Sequence, residues 1–481
     1  MNERGIARIE SILETLRSFA RATRDALWRI TRSDTQAIVI IIVLAALLRF
    51  PYLSHPDITQ FDEVIYTDYA LHILNHEPLF DIHPPLARIM FAEAARVSPP
   101  ESTSLIPLAI GQPFGDFPYV IVRFMVACFG VLLPLVIYGV ARALRFDPRI
   151  ALLPALFVVF DNALVIYSRV ILPDTLLLCF SFAALLCALR LIESEQRGKT
   201  FAYTLLTGIL IGCALSVKWT ALGMFGVIIL FFISHRRYSA IIATLLYSIF
   251  VYLLMFVVFF GYFPQGGKTI SPISTLEHPW VRMMDFPAPT LGNILTYLPE
   301  YHHAMLAAQS DPYLLAGTLP ALGPYSWPAA QSAIQFWSDQ GSNPLQPVEM
   351  KQGGRYIMMA GNAELWVMVL FAFIWSLAWI FLRSVSTRTL PIKKDELLLI
   401  IGYLANFVPF FFIHRSMYLY HYFTALLFLF LLVPYTLPRI RHCLELITHD
   451  RWFSYVFIAT ALMLVVINFV INMPMTYGFL W

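Results

Sequence analysis

Long apolar stretches decide what this chain can fold into. A helix crosses the hydrocarbon layer of a bilayer with about 20 mostly apolar residues. Stretches of that kind recur near residues 36–52, 118–141, 149–167, 171–191, 202–217, 219–234, 239–261, 363–382, 396–413, 417–437 and 452–472, about eleven spans by that length rule. Inside lipid each backbone N–H and C=O must be satisfied within its own segment, so the spans are helices. Of 481 residues, 59% are hydrophobic and only 13% charged, with a mean hydropathy of +0.69. The expected fold class is therefore an all-α polytopic membrane protein.

Orientation follows from where Lys and Arg fall in the short connections. With the N-terminus inside, the inner loops carry Arg142, Arg145 and Arg149, then Arg190, Arg197 and Lys199, then Arg236 and Arg237. Arg383, Arg388, Lys393, Lys394, Arg439, Arg441 and Arg451 continue the series. Residues 1–34 contain seven of the arginines (Arg4, Arg8, Arg17, Arg21, Arg24, Arg29, Arg32) and lack the apolar core and cleavage site of a signal peptide, so they read as a basic cytoplasmic tail. The net charge is only +3 and the basic residues are dispersed, which argues against nucleic acid as a partner. The five cysteines, Cys128, Cys179, Cys187, Cys213 and Cys443, show neither metal-type nor redox-type spacing.

This reading divides the chain into the tail at 1–34, spans one to seven at 35–261, an outer loop at 262–362 and spans eight to eleven at 363–481. The first outer loop, 53–117, interrupts the first group. Its runs Val64 to Phe80 and Leu86 to Val97 are expected to be helices lying in the interface plane. The second outer loop is rich in Pro, Gly, Tyr and Trp, with one helix expected around Asn293 to Gln309 and too little strand alternation for a β domain.

Polar groups crowd into the first outer loop: Asp57, Asp62, Glu63, Asp68, His72, Asp81, His83 and Arg88. Pro84 and Pro85 force a rigid bend there, which fixes His83 and Arg88 relative to the span ends. Arg123, Arg169, Lys218 and the pair His414 and Arg415 sit at the outer ends of spans, where the charge rule does not require cations. They either bind an anion or snorkel to headgroups. Asp161 and Asp174 bracket the outer turn between the third and fourth spans, where ionisable groups are costly; Asp174 also suits a helix cap.

In order and spacing, Phe61-Asp62-Glu63, Asp81-Ile82-His83-Pro84-Pro85-Leu86-Ala87-Arg88, Phe160-Asp161-Asn162-Ala163 with Ser168-Arg169 and Leu172-Pro173-Asp174, and Ser216-Val217-Lys218-Trp219 resemble the protein O-mannosyltransferase family. The likeness runs from about 55 to 265; further on, Arg415, Tyr420, His421 and Tyr422 are similar to the family's penultimate-loop pattern. The chain departs from many eukaryotic members in having no room for their β-trefoil insertion. It also has Trp327-Pro328-Ala329-Ala330-Gln331-Ser332 where the family places an Arg-Pro. The resemblance implies a GT-C bundle in a cell membrane, of prokaryotic type, that uses a sugar carried on polyprenyl or dolichyl phosphate, with its active site on the non-cytoplasmic side.

Such a donor already has a good leaving group, so one positioned base suffices, and in-line displacement would invert the anomeric centre. Asp62 is the expected base, with Glu63 the runner-up or an orienting neighbour. Arg123, Arg169, Lys218, His414 and Arg415 are expected on the carrier phosphate. His83, Arg88, Asp161, Asp174, Trp219, Trp327 and His421 are expected around sugar or acceptor. No HExxH-type or DxD spacing is present, and neither a metal nor another cofactor is expected beyond the lipid-linked donor. The expected reaction moves a hexose, mannose by the resemblance, to Ser or Thr of secreted or membrane polypeptides. A glycolipid or envelope-polysaccharide acceptor, or a lipid or sugar flippase, are the alternatives.

Overall fold

The computed structural model describes residues 33–100, 110–268, 285–286, 288–310, 323–339, 354–389, 391–413, 417–449 and 451–480. The basic tail and much of the second outer loop lie outside them. The first helix, α1 (Asp34–Arg49), starts at a capping box: Gln36 N–H donates to Ser33 Oγ (3.2 Å) and Ser33 N–H to Gln36 Oε1 (3.3 Å). Then come α2 (Glu63–Leu74), α3 (Leu86–Ala95), α4 (Tyr119–Ala143), α5 (Pro148–Val159), α6 (Asn162–Tyr167), α7 (Asp174–Glu193) and α8 (Arg197–Val217). A short 3₁₀ turn leads into α9 (Leu222–Ser234), which is followed by α10 (Tyr238–Gly261) and α11 (Leu291–Ser310). The chain closes with α12 (Ala363–Thr387), α13 (Lys394–Ala405), α14 (Phe423–Thr448), α15 (Arg451–Ile471) and α16 (Met473–Tyr477).

Among the described residues, eight helical segments are long and apolar enough to cross a membrane: α4, α7, α8, α10, α12, Lys394–Phe412, Leu419–Thr448 and Trp452–Ile471. Shorter helices occupy the three other expected positions. The stretch expected as one span at 149–167 is broken, because Phe160 ends α5 and Asp161 caps a separate six-residue α6. Bundle packing uses small residues for close approach. A Cβ on Gly208 of α8 would meet Tyr247 Cβ of α10 at 2.5 Å, and one on Gly212 would meet Val251 Cβ at 2.9 Å. Large apolar side chains such as Phe250, Leu246, Phe371, Phe381 and Val470 point outward, as a lipid-facing sheath requires. Cations of the expected inner loops form ion pairs: Arg142 with Asp34 (2.7 Å), Arg190 with Glu193 (3.2 Å), and Arg439 with Glu396.

The outer segments depart from expectation in two ways. Helices α2 and α3 form where amphipathic runs were expected, and their polar positions as well as their apolar ones are packed into protein. Tyr66, Thr67, Tyr69, Ala70, Leu71, His72 and Ile73 are all buried, so α2 is covered on nearly every side. The fold is also not purely α. Strand β1 (Gly267–Lys268) pairs antiparallel with β2 (Asp285–Phe286), and β3 (Ile334–Ser338) with β4 (Tyr356–Met359), in the register Ile334 to Met359 and Ser338 to Tyr356 with a bulge between Gln335 and Trp337. Strands of two to five residues carry no readable alternation. The C-terminus folds back under β4: Leu480 bridges to Arg355, Tyr477 Oη donates to Leu48 O (2.7 Å), and Asn162 Nδ2 donates to Thr476 Oγ1 (2.8 Å).

Candidate active site

Helix α8 ends at Val217, and the next residue, Lys218, swings into extended backbone (φ −151°, ψ 144°), throwing its side chain sideways into the bundle. Its Nζ donates to both carboxylate oxygens of Asp174 (2.9 and 2.8 Å) and lies 4.9 Å from the centre of the Tyr420 ring. Asp174 opens α7 directly after Pro173, where the helix dipole favours an anion. Both residues are buried, yet both line a cavity of about 550 Å³. Its polar end is completed by His83, Trp219, Gln309 and His421. The cavity is also lined by Leu177 and Leu178 of α7, Leu222 and Gly223 of α9, Asn406 just after α13, Phe410, and Phe423 of α14, which make a mostly apolar arm. A polar head with one fixed cation and an apolar arm is the shape of a site for an anionic amphiphile.

Asp62 stands at the N-cap position of α2 with φ −75° and ψ 0°, and its side chain makes no capping bond. Part of its surface stays accessible although protein surrounds it on every side. That burial pushes its carboxyl up to about 7; Lys218 opposes the shift and Asp174 adds to it. A base poised near neutrality is suited to taking a hydroxyl proton.

Its neighbour Glu63 has another role. Glu63 is wholly buried and bidentate with Arg123 (2.8 and 2.7 Å), and it accepts from the N–H groups of Gln60 (3.1 Å) and Ile171 (2.8 Å). Arg123 also donates to Leu53 O (3.0 Å) and Pro56 O (2.8 Å) beneath the rings of Phe114 and Tyr119. Glu63, expected as the runner-up base or an orienting neighbour, and Arg123, expected on the phosphate, thus spend these hydrogen bonds on each other and on backbone. Arg169, also expected on the phosphate, donates to the carbonyls of Arg49 (2.8 Å), Pro51 (2.6 Å) and Tyr52 (3.2 Å) at the end of α1 and packs over Tyr477.

The residues expected around the sugar also divide. His83, Asp174, Trp219 and His421 line the cavity. Arg88 lies behind it, donating to His83 O (2.7 Å), pairing with Asp81 (3.3 Å) and covered by Tyr69 and Phe259, so it fixes the bend and is not among the lining residues. Asp161 caps α6 through Leu164 N–H (2.9 Å) and accepts from Asn362 N–H (3.3 Å) and the Trp366 indole, which makes it a tie between α6 and α12. Trp327 is wholly buried and stacks on His421 at 6.3 Å from the side. His414 and Arg415 lie outside the described residues.

Sequence reading missed Gln309 and Asn406. Gln309 Nε2 donates to Ile82 O (2.9 Å), tying α11 to the loop that holds His83. A lone Gln near the end of an expected helix carries no signal of that contact. Among the described residues no three His, Cys, Asp or Glu side chains are grouped so as to hold a metal ion.

Comparison with known proteins shows the family. Residues 39–265 match the family profile described as dolichyl-phosphate-mannose-protein mannosyltransferase, and residues 296–481 match that of the C-terminal four-transmembrane region of protein O-mannosyltransferase. The fold is shared with the structure of the Saccharomyces cerevisiae protein O-mannosyltransferase Pmt1-Pmt2 complex bound to the sugar donor, with a TM-score of 0.76 at 16% identity, over 95% of this chain and 92% of that one. The class is a GT-C membrane glycosyltransferase fold. Dolichyl-phosphate-mannose–protein mannosyltransferase 4 of Schizosaccharomyces pombe is 30% identical over 188 residues, 38% of this chain and 24% of that protein. Mannosyltransferase 2 of Candida albicans is 26% identical over 280 residues, 53% of this chain and 36% of that protein. The chain thus aligns with about a quarter to a third of the length of these curated relatives. Within the GT-C class, it belongs to the protein O-mannosyltransferase family.

Proposed function

We propose that this protein transfers mannose from a polyprenyl-phosphate carrier to Ser or Thr hydroxyls of exported or membrane polypeptides, with inversion at the anomeric carbon. The observation that carries the reading is the Lys218–Asp174 pair lining a cavity that is otherwise largely apolar, with the carboxylate of Asp62, itself outside the lining, near enough to feel both charges. The family membership and the names of its relatives support the sugar and the acceptor class.

In this reading Asp62 takes the proton of the acceptor hydroxyl as its oxygen bonds to the anomeric carbon. The bond from that carbon to the phosphate oxygen breaks, and its electron pair leaves with the phosphate. Lys218 meets the charge that develops there, in surroundings where a fixed cation acts more strongly than in water. Asp174 holds Lys218 in place through both carboxylate oxygens. The apolar arm receives the start of the isoprenoid chain, and His83, Trp219, Gln309 and His421 surround the sugar. We place this site on the non-cytoplasmic side and the N-terminus in the cytoplasm, since the basic connections gather at the opposite ends of the helices. No divalent ion is assigned a part.

The test uses purified protein in liposomes with a short-chain prenyl-phosphate mannose and a threonine peptide. We expect peptide-linked mannose of inverted configuration, at a rate a chelator leaves unchanged. Retained configuration, or transfer to added glycolipid and not to peptide, would contradict the proposal; loss with chelator and recovery with manganese would contradict its metal-free form.

A further inference from the structure

Phe61, immediately before the proposed base, has a backbone φ of +46°, a left-handed conformation that a bulky side chain rarely adopts. Such a conformation persists where its surroundings over-determine it. Here the surroundings are aromatic. The Phe61 ring stacks on Phe336 (5.1 Å between centres, 9° between planes) and meets the edges of Tyr418 (5.7 Å) and Tyr420 (6.4 Å). Phe336 is buried and packs in turn on Tyr167 of α6 at 5.9 Å. It comes from β3 in the second outer segment, far along the chain from Asp62, and its partner strand is braced by the C-terminal bridge to Leu480.

The turn at Phe61 decides where the Asp62 carboxylate rests. An Asp at a helix N-cap ordinarily has extended backbone and accepts from the helix N–H groups. Asp62 has helical backbone instead and makes no such bond.

We propose that Phe336 is a positioning residue: its stack on Phe61 holds the left-handed turn that keeps Asp62 off the α2 cap and within reach of the Lys218–Asp174 pair. This rests on Asp62 being the base. The same aromatic group reaches the other half of the site, since Tyr420 also lies under Lys218 Nζ. The charged and titratable groups facing Asp62 are Lys218, Asp174 and the phenols of Tyr66 and Tyr167.

Phe336→Leu removes the ring and keeps an apolar side chain; Phe61→Leu does so from the other side and carries the comparison if the first fails to fold. With the prenyl-phosphate mannose and threonine peptide above, kcat is expected to fall by about tenfold or more in each, because small misplacements of a reacting group are costly. KM for the donor stays within about twofold, the acid limb of the pH profile moves to lower pH as Asp62 settles on the cap, and Phe336→Tyr restores wild-type behaviour. The double Leu variant is no worse than either single one. Wild-type kcat with an unmoved acid limb, or losses that multiply in the double variant, would overturn the proposal.

A second readout needs no turnover. Asp62→Asn should raise the melting temperature above pH 7, and that gain should shrink in the Phe336→Leu background; an undiminished gain overturns the positioning role. If Asp62→Asn keeps full turnover, the base assignment fails separately, and the melting comparison alone decides what Phe336 does.

Discussion

Asp62 and Glu63 are adjacent and chemically alike, yet the side chain of one makes no capping bond and the other is locked under Arg123. Removing one partner of a buried pair leaves the other charge uncompensated, at a cost of about 3–5 kcal/mol. Arg123→Ala is therefore expected to lower folded yield and melting temperature sharply, while whatever protein does fold keeps its KM for the donor; a stable variant with a raised donor KM would restore Arg123 to the phosphate site. Asp62 should reveal itself through pH. The base acts when deprotonated, and its pKa is raised to about 7, so kcat/KM is expected to rise with pH through about 7 and level off above it. The stability sign is opposite. A carboxyl whose folded pKa lies above the unfolded value favours folding fully below about 4, and loses that contribution as pH rises through about 7. This is why Asn at position 62 should stabilise the protein in alkaline buffer. Sequence reading ranked Asp62 ahead of Glu63 as the base, but it could not separate the cations. Nothing local to Arg123 or Arg169 states that their donors are consumed by backbone carbonyls of the first outer loop and the end of α1.

At the scale of elements, the spans were legible because about 20 apolar residues in a row have few other destinies. The break between α5 and α6 was not, since apolar residues run up to Asp161-Asn162 on both sides and Asp161, besides capping α6, is held by Asn362 and Trp366 at another helix. Helices α2 and α3 were legible as helices, but the burial of their polar positions was not. Their pattern of apolar and polar residues is the same whether the polar face meets water or buried partners such as the Asp81–Arg88 pair. The close approach of α8 and α10 makes a prediction of its own. A side chain at Gly212 would press on Val251 and on the backbone of Ser248 (3.0 Å), so Gly212→Val should destabilise by roughly 1–3 kcal/mol, as overpacking does. Gly226→Ala on α9 has nothing within 4 Å of the added carbon and should not lower the melting temperature, since Ala favours a helix over Gly. Equal melting temperatures for the two variants would contradict the packing described.

For the molecule as a whole, the site is assembled from places far apart in the chain. Asp62 and His83 come from the first outer loop, Asp174 and Lys218 from the ends of α7 and α8, Gln309 from α11, and Tyr420 and His421 from the turn before α14. The sequence order of motifs was enough to collect His83, Asp174, Lys218, Trp219 and His421. It was not enough to show which cation faces the cavity, because that depends on the fold of the outer segments around Arg123 and Arg169. The account reduces to a division of labour between Asp62, which accepts the proton, and Lys218, which meets the leaving phosphate. Single-turnover transfer from prenyl-phosphate mannose to a threonine peptide by Asp62→Asn in liposomes, with donor binding measured on the same preparation, tests it most directly. The account predicts a rate reduced by about a hundredfold or more with donor affinity retained; a rate within a few-fold of wild type would contradict it.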